Sequence, residues 1–554
     1  MSELINYTVG GMLEQMAKDY PNHDCVLYTD RPFRMTYGEF NAACDRAAKA
    51  FLAMGIKKGD HVAIWATNYP EWIITLFATA KIGAILVTVN TNYKIFEMEY
   101  LMRQSDSMTL ILIENFKDSN YVQIMNEICP ELKDCKPGEL KSETLPFLKN
   151  IIYVGDNSHP GMYAWGSLDA MADAISDDTL EAAKVSLDIH DVINMQYTSG
   201  TTGFPKGVML THYNIINNGK SIGDCMKFSP DDKLCIPVPF FHCFGLVLAI
   251  LASVTHGTTM VPVDYFQPLK VLEAMRDEEC TALHGVPTMF IALLEHPEFK
   301  NFKFTKLRTG IMAGSPCPVK VMQQVIDDMG MDEITIAYGQ TEASPVCTQT
   351  STSDSVELRV STVGRALPYI ECKVVDPETG LDLPPNTQGE FVARGYNVMK
   401  GYYKMPEATE LAIDTEGWLH TGDLSTMDEN GYYKITGRIK DMIIRGGENI
   451  YPKEIEEFLY THPKIKDVQV IGIPSKQYGE EVCACIILKD GESIDPDEIK
   501  AYVKAHMARH KTPKQILFVS EFPMTASGKI QKYKLREMAI EAFELQEAAA
   551  IETA

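Results

Sequence analysis

The chain has 554 residues, of which 45% are hydrophobic and 23% charged, a balance typical of a soluble globular protein. This length exceeds one compact core and predicts at least two domains. A formal net charge of -24 argues against general nucleic-acid binding, which needs a basic face. The charge does not exclude a local basic site for a single nucleotide. Thirteen cysteines without a Cys-x-x-Cys pair argue against a disulfide framework and a zinc site.

The segment Met1–Asn6 lacks a basic region followed by an apolar run, so we expect no secretory signal. The longest apolar stretch, 244–254, is too short to span a bilayer. We therefore expect a cytoplasmic protein without an integral membrane segment. The oligomeric state stays open, with a homodimer as one option.

Strands and helices alternate along the first third of the chain. Thr36 and Glu39 are spaced as a capping box at the start of an amphipathic helix. The pattern then predicts strand 61–65, helix 70–82, strand 84–88, helix 95–103 and strand 109–113. Such alternation indicates parallel βαβ units. Residues 130–190 are less regular, and we interpret them as an insertion or connection.

The rest of the chain divides into three regions with different sequence patterns. After residue 190 the pattern predicts strands at 192–196, 233–239 and 258–263, helix 268–277, and apolar runs at 307–314 and 333–337. Past Ser351, short strand-like runs with frequent turns indicate a β-rich subdomain. The best boundary, 437–441, separates a large N-terminal α/β domain (1–438), made of βαβ subdomains plus that β-rich subdomain, from a small α+β C-terminal domain (439–554).

A glycine-rich stretch, Tyr197–Val208, follows the strand predicted at 192–196. Its glycines allow a close backbone approach, its hydroxyls can donate hydrogen bonds, and Lys206 adds a positive charge, so the stretch suits a polyphosphate. Because the lysine precedes its glycine, the stretch is not a Walker A loop. For the glycines alone, a plain surface loop is the alternative.

Four further motifs carry groups that nucleotide chemistry uses. An aromatic face can stack on a purine, and a carboxylate is a ligand that Mg²⁺ prefers beside nucleotide phosphates. Another carboxylate can accept ribose hydroxyls, and a lysine can stabilise negative charge at phosphorus. Taken alone, each motif also fits an ordinary turn or an exposed surface group. The motifs are 313–316, 338–342, 418–423 with Gly437-Arg438, and 523–530.

The complete Tyr197–Val208 string, together with 338–342 and 523–530, resembles the signatures of the adenylate-forming superfamily, which includes acyl-CoA synthetases, aryl-CoA ligases, luciferases and adenylation domains of peptide synthetases. The resemblance spans roughly 36–532. It implies an ATP and AMP site formed by Thr198, Ser199, Gly200, Thr201, Thr202, Gly203, Lys206, Gly314, Ser315, Pro316, Tyr338, Gly339, Gln340, Thr341, Asp423, Arg438 and Lys529.

The resemblance also implies individual roles. Tyr338 would contact adenine, Thr341 the α-phosphate and Glu342 magnesium. Asp423 would accept the ribose hydroxyls with Arg438 beside it. The implied catalytic set is Lys529, Thr341, Glu342 and His242. In the family the small domain is mobile about a hinge matching Lys440, and Arg445, Gly446 and Gly447 would line the coenzyme A tunnel.

The implied reaction has two halves, in which a carboxylate attacks the α-phosphorus of ATP and a coenzyme A thiolate then attacks the acyl-AMP. His242 occupies the position where amino-acid-activating relatives carry an aspartate, which argues against an amino-acid substrate. The motifs look most like those of medium-chain fatty acyl-CoA synthetases, so we expect an AMP-forming synthetase using ATP, Mg²⁺ and coenzyme A. The alternatives are a coumarate-type aryl-CoA ligase and a catalytically silent acyl- or nucleotide-binding protein.

Overall fold

The computed structural model describes residues 3–198, 205–314, 317, 319–445, 448–475, 477–507, 509–525 and 529–549. Its strands, numbered in chain order, are β1 (Asp24–Leu27), β2 (Arg34–Thr36), β3 (His61–Trp65), β4 (Ile85–Thr88), β5 (Thr109–Leu112), β6 (Asn115–Phe116), β7 (Ser119–Asn120), β8 (Asn150–Tyr153), β9 (Tyr163–Ala164), β10 (Val192–Thr198), β11 (Lys206–Thr211), β12 (Lys233–Ile236), β13 (Thr259–Pro262), β14 (Ala282–Gly285), β15 (Thr309–Ala313), β16 (Glu333–Gly339), β17 (Val346–Gln349), β18 (Arg365–Ala366), β19 (Ile370–Val375), β20 (Gly389–Gly395), β21 (Gly401–Tyr402), β22 (Leu419–Met427), β23 (Tyr433–Arg438), β24 (Ile443–Arg445), β25 (Glu448–Ile450), β26 (Ile465–Ser475), β27 (Gly479–Leu488) and β28 (Gln515–Phe518).

The α-helices, numbered in the same way, are α1 (Val9–Asp19), α2 (Tyr37–Ala53), α3 (Pro70–Ile82), α4 (Ile95–Gln104), α5 (Tyr121–Ile128), α6 (Leu168–Ala172), α7 (Asp177–Val185), α8 (His212–Met226), α9 (Ala252–Val254), α10 (Pro268–Asp277), α11 (Pro287–Leu294), α12 (Val319–Met329), α13 (Val356–Ser361), α14 (Pro406–Ala412), α15 (Pro452–Leu459), α16 (Pro496–His506), α17 (Lys532–Ala542) and α18 (Gln546–Ala549). A π-helix at Phe244–Leu251 leads directly into α9. Single 3-10 turns include Thr341–Ala343 and Ile439–Asp441.

The chain divides into two compact units. The first comprises Met1–Cys372 with Ala393–Leu419, and the second comprises Lys373–Val392 with His420–Ala554. The boundary predicted between residues 438 and 439 falls inside the second unit and stays a prediction. Among the residues that the structure describes, no helix is long and apolar enough to cross a membrane.

Two large sheets form the framework of the first unit. One has nine strands in the order β18-β17-β16-β15-β14-β12-β13-β1-β2, and the run from β16 to β1 is parallel. The other has eight strands in the order β21-β11-β10-β4-β3-β5-β8-β9, and the run from β10 to β9 is parallel. Since the carboxyl ends of parallel strands meet at one edge of a sheet, the loops after them are where ligand sites are expected.

The second unit contains two smaller sheets. The β22–β23 hairpin belongs to a four-stranded sheet of order β19-β20-β22-β23 and places Asp423 opposite Arg438. The other sheet has the order β25-β24-β27-β26, and β28 joins it by pairing in parallel with β27. One face of β26 and β27 packs on α15 and α16, and the other face, which includes Cys483 and Cys485, packs on α17.

Most predicted elements of the alternating pattern are confirmed. Strand β3 and helices α3 and α10 begin and end at the predicted positions, and the Thr36–Glu39 capping box is present. The interpretation of 130–190 as a mere connection was incomplete, because β8 and β9 extend the eight-stranded sheet. No helix connects β8 to β9, so the alternation of strands and helices that indicates β3, β4 and β5 is missing there.

A lysine with no exposed side-chain surface links α1, α2 and α3. The Lys81 ammonium donates to Glu14 Oε1 at 2.9 Å, to Asn41 Oδ1 at 2.8 Å and to Asp45 Oδ1 at 2.7 Å. Burying an ammonium is unfavourable unless polar partners surround it, and here three oxygens do so. The cluster therefore holds the three helices in one arrangement.

Replacing this lysine by an apolar residue of similar length tests the cluster. We expect Lys81→Met to lower the free energy of unfolding by about 2 kcal/mol, because Glu14 and Asp45 lose one of their two ammonium partners and keep only Lys184, at 2.6 and 3.2 Å. The measurement is urea unfolding followed by tryptophan fluorescence. Lys270→Met is the matched control, since the Lys270 pair with Glu273 is exposed, and it should change stability by less than about 0.5 kcal/mol. Equal effects of the two substitutions would contradict a structural role for the cluster.

Candidate active site

The predicted phosphate loop lies in the sequence between two strands that pair with each other. Strands β10 and β11 pair antiparallel, and the last pair that they form joins Thr198 and Lys206. The Tyr100 hydroxyl donates to the Pro205 carbonyl at 3.1 Å and fixes the returning end of the turn. The predicted residues Ser199, Gly200, Thr201, Thr202 and Gly203 lie outside the described residues. The hairpin thus positions Thr198 and Lys206 side by side at the mouth of the loop.

A second element of the site is the end of β16. Tyr338 and Gly339 are its last residues, Gln340 precedes the 3-10 turn, and Thr341 and Glu342 open that turn. A Cβ atom on Gly339 would lie 1.8 Å from the Pro345 carbonyl oxygen, so only glycine fits there. This close approach folds the chain back sharply and places Thr341 and Glu342 at the strand end.

Two contacts hold Glu342 from the segment 399–402. The Tyr402 hydroxyl donates to Glu342 Oε1 at 2.8 Å, and the Met399 N–H donates to the Glu342 carbonyl oxygen at 2.9 Å. Burial, and then the negative charge of Glu342, raise the pKa of the Tyr402 hydroxyl well above its ordinary value. The hydroxyl therefore keeps its proton and acts as a donor to the carboxylate.

The phosphate-loop lysine approaches the same tyrosine from another side. The Lys206 ammonium lies 4.7 Å from the centre of the Tyr402 ring, within the range of a cation–π interaction. The structure thus brings together Lys206 and Glu342, two residues predicted from separate motifs, around a tyrosine that sequence reasoning missed. In the sequence, Tyr402 is marked only by the Gly-Tyr pair at 401–402 shortly before Pro406. This pattern resembles an ordinary turn.

His242 lies in the turn between β12 and the π-helix. Its Nδ1 accepts a hydrogen bond from the Phe244 N–H at 3.1 Å, and its carbonyl accepts from Gly245 at 2.9 Å. An accepting Nδ1 leaves the ring proton of a neutral imidazole on Nε2. A Cβ atom on Gly245 would lie 2.3 Å from the Pro239 carbonyl oxygen, so the tightness of this turn depends on glycine.

The π-helix that follows His242 is buried along its whole length. His284 on β14 connects it to the sheet, since His284 Nε2 donates to the Leu248 carbonyl at 2.9 Å and His284 Nδ1 accepts from the Ile311 N–H at 3.2 Å. Burial lowers the pKa of His284 to about 4, so the ring is neutral at physiological pH and can make both bonds. The histidine fixes an apolar wall next to the His242 turn.

The weaker prediction at 313–316 is partly described. Gly314 follows β15 with φ of +91°, and a Cβ atom there would approach Val286 Cγ1 to 3.1 Å. Ser315 and Pro316 lie outside the described residues. Glycine at this position keeps the end of β15 close to the loop after β14.

In the second unit, Asp423 and Arg438 face each other across the β22–β23 hairpin. The Arg438 Nε donates to Asp423 Oδ1 at 3.1 Å, and Asp423 is largely buried while Arg438 is about half exposed. The preceding Gly422 has φ of +70°, and its N–H donates to Glu390 Oε1 at 2.9 Å. The pair predicted from two motifs is therefore preformed in this unit.

Lys440 and Arg445, two further predicted residues of the second unit, are at least partly exposed. Lys440 is exposed on the 3-10 turn Ile439–Asp441. Arg445 donates to both oxygens of Glu481, at 2.7 and 3.0 Å, and its guanidinium lies 4.2 Å from the centre of the Tyr478 ring. Gly446 and Gly447 lie outside the described residues.

Lys529 is exposed and follows a stretch whose residues 526–528 are outside the description. Its N–H donates to Thr525 Oγ1 at 3.0 Å, and its carbonyl oxygen accepts from the Thr525 N–H at 2.7 Å. These two bonds fix the backbone of Lys529 against Thr525, and Lys529 is an exposed residue.

The donor set fits magnesium only together with a nucleotide. Within the described ranges, no group of three or more His, Cys, Asp and Glu side chains could hold a metal ion between them. Mg²⁺ in nucleotide sites is commonly held by one or two carboxylates plus the substrate phosphates, and Glu342 supplies one carboxylate in a fixed orientation. The residues present are compatible with that arrangement.

Comparison with known proteins identifies the family. Residues 13–403 match AMP-binding enzymes, and residues 454–529 match the C-terminal domain of AMP-binding enzymes. The chain belongs to the AMP-binding enzyme family. The resemblance drawn from the motifs is thereby confirmed.

Two curated relatives cover nearly all of the chain. "Putative acyl-CoA synthetase YngI" from Bacillus subtilis (strain 168) is 58% identical over 545 residues, which are 98% of this chain and 99% of the relative. "Medium-chain acyl-CoA ligase ACSF2, mitochondrial" from Bos taurus is 42% identical over 542 residues, 96% of this chain and 88% of the relative. The predicted enzyme class, an AMP-forming acyl-CoA ligase, is confirmed at that level.

Among solved structures, ATP-bound MatB from Rhodopseudomonas palustris superimposes with a TM-score of 0.82 at 28% identity, covering 96% of this chain and 99% of MatB. The predicted fold class, a large α/β domain with parallel sheets and a small C-terminal domain, is confirmed by this likeness. The bound ATP agrees with the nucleotide site predicted from the motifs.

The close approach at Gly339 gives a prediction for the site's framework. We expect Gly339→Ala to lower the free energy of unfolding by at least about 3 kcal/mol, beyond the usual cost of one extra methyl group, because backbone atoms would have to move. The same movement should displace Thr341 and Glu342. Gly166→Ala is the control, since no atom lies within 4 Å of a Cβ there. The measurement is the midpoint of thermal unfolding of both variants. An unchanged midpoint for Gly339→Ala would refute the prediction.

Proposed function

We propose that the protein activates a medium-chain fatty acid in two steps, through acyl-AMP to acyl-CoA, with ATP, Mg²⁺ and coenzyme A. The observation that carries the proposal is the grouping of Lys206 and Glu342 around Tyr402 beside the phosphate-loop hairpin. It offers a cation for phosphate oxygens and a carboxylate for a divalent cation in one place. A protein that binds only acyl groups would have no need of that combination.

In the first half, the carboxylate of the acid attacks the α-phosphorus of ATP and pyrophosphate leaves. Negative charge grows on the phosphoryl oxygens as the bond forms, so the protein's task is electrostatic. We assign Lys206 to the phosphates, the Thr341 hydroxyl to the α-phosphate and Lys529 to the oxygens of the reacting carboxylate and phosphate. Magnesium, when held by Glu342 and the phosphates, would neutralise part of the charge.

We assign the nucleoside part of ATP to residues of both units. Tyr338, at the end of β16, is assigned to adenine together with Gly339 and Gln340. Asp423 is assigned to the ribose hydroxyls, and the hydrogen bond from Arg438 holds its carboxylate in place. Because a carboxylate can accept two hydrogen bonds from a diol while a third donor fixes it, the pair suits a ribose.

In the second half, the thiolate of coenzyme A attacks the acyl-AMP carbonyl and AMP leaves. Lys440 is assigned to the hinge, and Arg445, Gly446 and Gly447 to coenzyme A. Arg445 would share its guanidinium between Glu481 and an anionic group of coenzyme A, since five N–H donors can serve both. His242, with its ring proton on Nε2, is assigned to the path of the carboxylate.

An alkyl chain is favoured by the wall beside His242. The π-helix Phe244–Leu251 contains no charged residue and is fully buried, and His284 is neutral. A zwitterionic amino acid would find no carboxylate at position 242. The ACSF2 relative is named a medium-chain acyl-CoA ligase, which supports the same chain length. The cytoplasmic location stays a prediction, since that relative is named mitochondrial.

The substrate proposal is tested by AMP release from ATP with saturated fatty acids from C2 to C16, benzoate and coumarate, each with and without coenzyme A. We expect a maximum in the middle of the fatty-acid series and turnover that requires coenzyme A. Discrimination should be gradual, since each methylene is worth about 1 to 3 kcal/mol. Preference for the aromatic acids would replace the proposal by an aryl-CoA ligase. If none of the acids supports turnover, the proposal is refuted.

The role of Lys529 is tested by separating the two halves. We expect Lys529→Ala to slow acyl-AMP formation by at least about 10²-fold, as the loss of one preorganised electrostatic donor does elsewhere. Formation of acyl-CoA from supplied acyl-AMP should remain near the unmodified rate. Lys534→Ala, which removes another exposed lysine from the same unit, should leave both halves unchanged. Equal loss of both halves in Lys529→Ala would show that the lysine is not specific to adenylation.

A further inference from the structure

We propose that Tyr402 is a positioning residue for Glu342, and that its ring keeps Lys206 and Glu342 from pairing with each other. The inference rests on the proposed function, in which Glu342 serves Mg²⁺ and Lys206 serves the phosphates of ATP. Tyr402 would touch neither. It would act through the two groups that do.

The hydroxyl end of Tyr402 sets the orientation of the carboxylate. A phenol has one proton to donate, and here it goes to Glu342 Oε1 at 2.8 Å. A hydrogen bond to a charged acceptor is stronger and more directional than one between neutral groups. The bond fixes the rotation of the carboxylate and engages Oε1, so Oε2 is the oxygen that Tyr402 leaves for the metal.

The backbone holds Tyr402 against both of its partners. Strand β21 pairs with β11, with Tyr402 opposite Val208, so the tyrosine sits two residues from Lys206 across the sheet. The Tyr403 N–H donates to the Gly207 carbonyl at 2.8 Å. On the other side, the Met399 N–H donates to the Glu342 carbonyl at 2.9 Å. One short segment therefore ties the phosphate hairpin to the turn that carries Glu342.

In this proposal the ring of Tyr402 keeps the Lys206 ammonium and the Glu342 carboxylate apart. The Lys206 ammonium rests 4.7 Å from the ring centre, while the carboxylate is bound by the hydroxyl at the edge of the ring. The two charged groups thus contact different parts of one buried side chain. Without the ring, Lys206 and Glu342 would attract each other at short range and be drawn away from phosphate and metal.

The test uses Mn²⁺ as a probe for the Mg²⁺ site, with ATP and without acid, so that no reaction occurs. Bound Mn²⁺ is counted by electron paramagnetic resonance, and ATP binding in EDTA is measured by calorimetry. We expect Tyr402→Phe to weaken Mn²⁺ binding to the ATP complex about tenfold, as the loss of one charge-assisted hydrogen bond would do. Binding of metal-free ATP should change less than about twofold, since the ring remains below Lys206.

Tyr403→Phe is the matched control. The Tyr403 hydroxyl donates to Asp106 Oδ2 at 2.9 Å and has no part in the proposed contact, so both affinities should be unchanged. Tyr402→Leu removes the ring as well, and it should weaken metal-free ATP binding by releasing Lys206 to Glu342. Adding Glu342→Gln to Tyr402→Leu should restore that binding, because the competing charge is gone.

Glu342→Gln separates a failure of this inference from a failure of the proposed function. If Glu342→Gln keeps full Mn²⁺ affinity, the metal role of Glu342 is wrong. If Glu342→Gln loses Mn²⁺ while Tyr402→Phe keeps it, only the inference is overturned. If both weaken binding, Tyr402→Phe should have almost no further effect in the Glu342→Gln background, and full additivity would also overturn the inference. Should Tyr402→Phe fail to fold, Tyr402→Leu still tests the ring: unchanged binding of metal-free ATP in Tyr402→Leu would overturn the inference.

Discussion

The antiparallel pairing of β11 with β10 and β21 is the contact on which the candidate site depends. It gives one edge of the sheet two antiparallel pairings, whereas the run from β10 to β9 is parallel. A parallel strand would have placed Lys206 at the opposite edge from Thr198. The reversal instead brings the two ends of the loop together and lets the segment after residue 398 dock beside them.

A buried polar chain supports the same hairpin from below. Asn194 donates to the Leu86 carbonyl at 3.0 Å, Gln196 donates to Asn194 Oδ1 at 3.0 Å, and the Cys243 thiol donates to Gln196 Oε1 at 3.0 Å. Buried polar groups that satisfy one another specify a single arrangement. These hydrogen bonds connect β10 to Cys243, the residue after His242. Strand β10 and the turn that contains His242 therefore share one rigid support.

The sequence predicts the chemistry of this protein better than it predicts the support of that chemistry. Strands and helices such as 61–65 and 70–82 carry clear periods and capping signals, and family motifs point to Glu342, Asp423 and Lys206. Tyr402 and Gln196 could not be found in that way, because their role depends on cross-strand partners far away in the chain. Strand β8 was not predicted, because no helix connects it to β9 and the strand–helix alternation is missing there. The pairing of Asp423 with Arg438, by contrast, follows from two motifs at opposite ends of one hairpin.

The widened helix Phe244–Leu251 has an evolutionary consequence. A π-helix bonds each N–H to a carbonyl five residues earlier and so holds one residue more per turn than an α-helix needs. Losing one residue there would rotate every side chain on one side of the change by about 100° relative to the other, since an α-helix advances 3.6 residues per turn. The face that this segment turns toward its neighbours can thus be exchanged in a single deletion or insertion, so its length as well as its composition can vary.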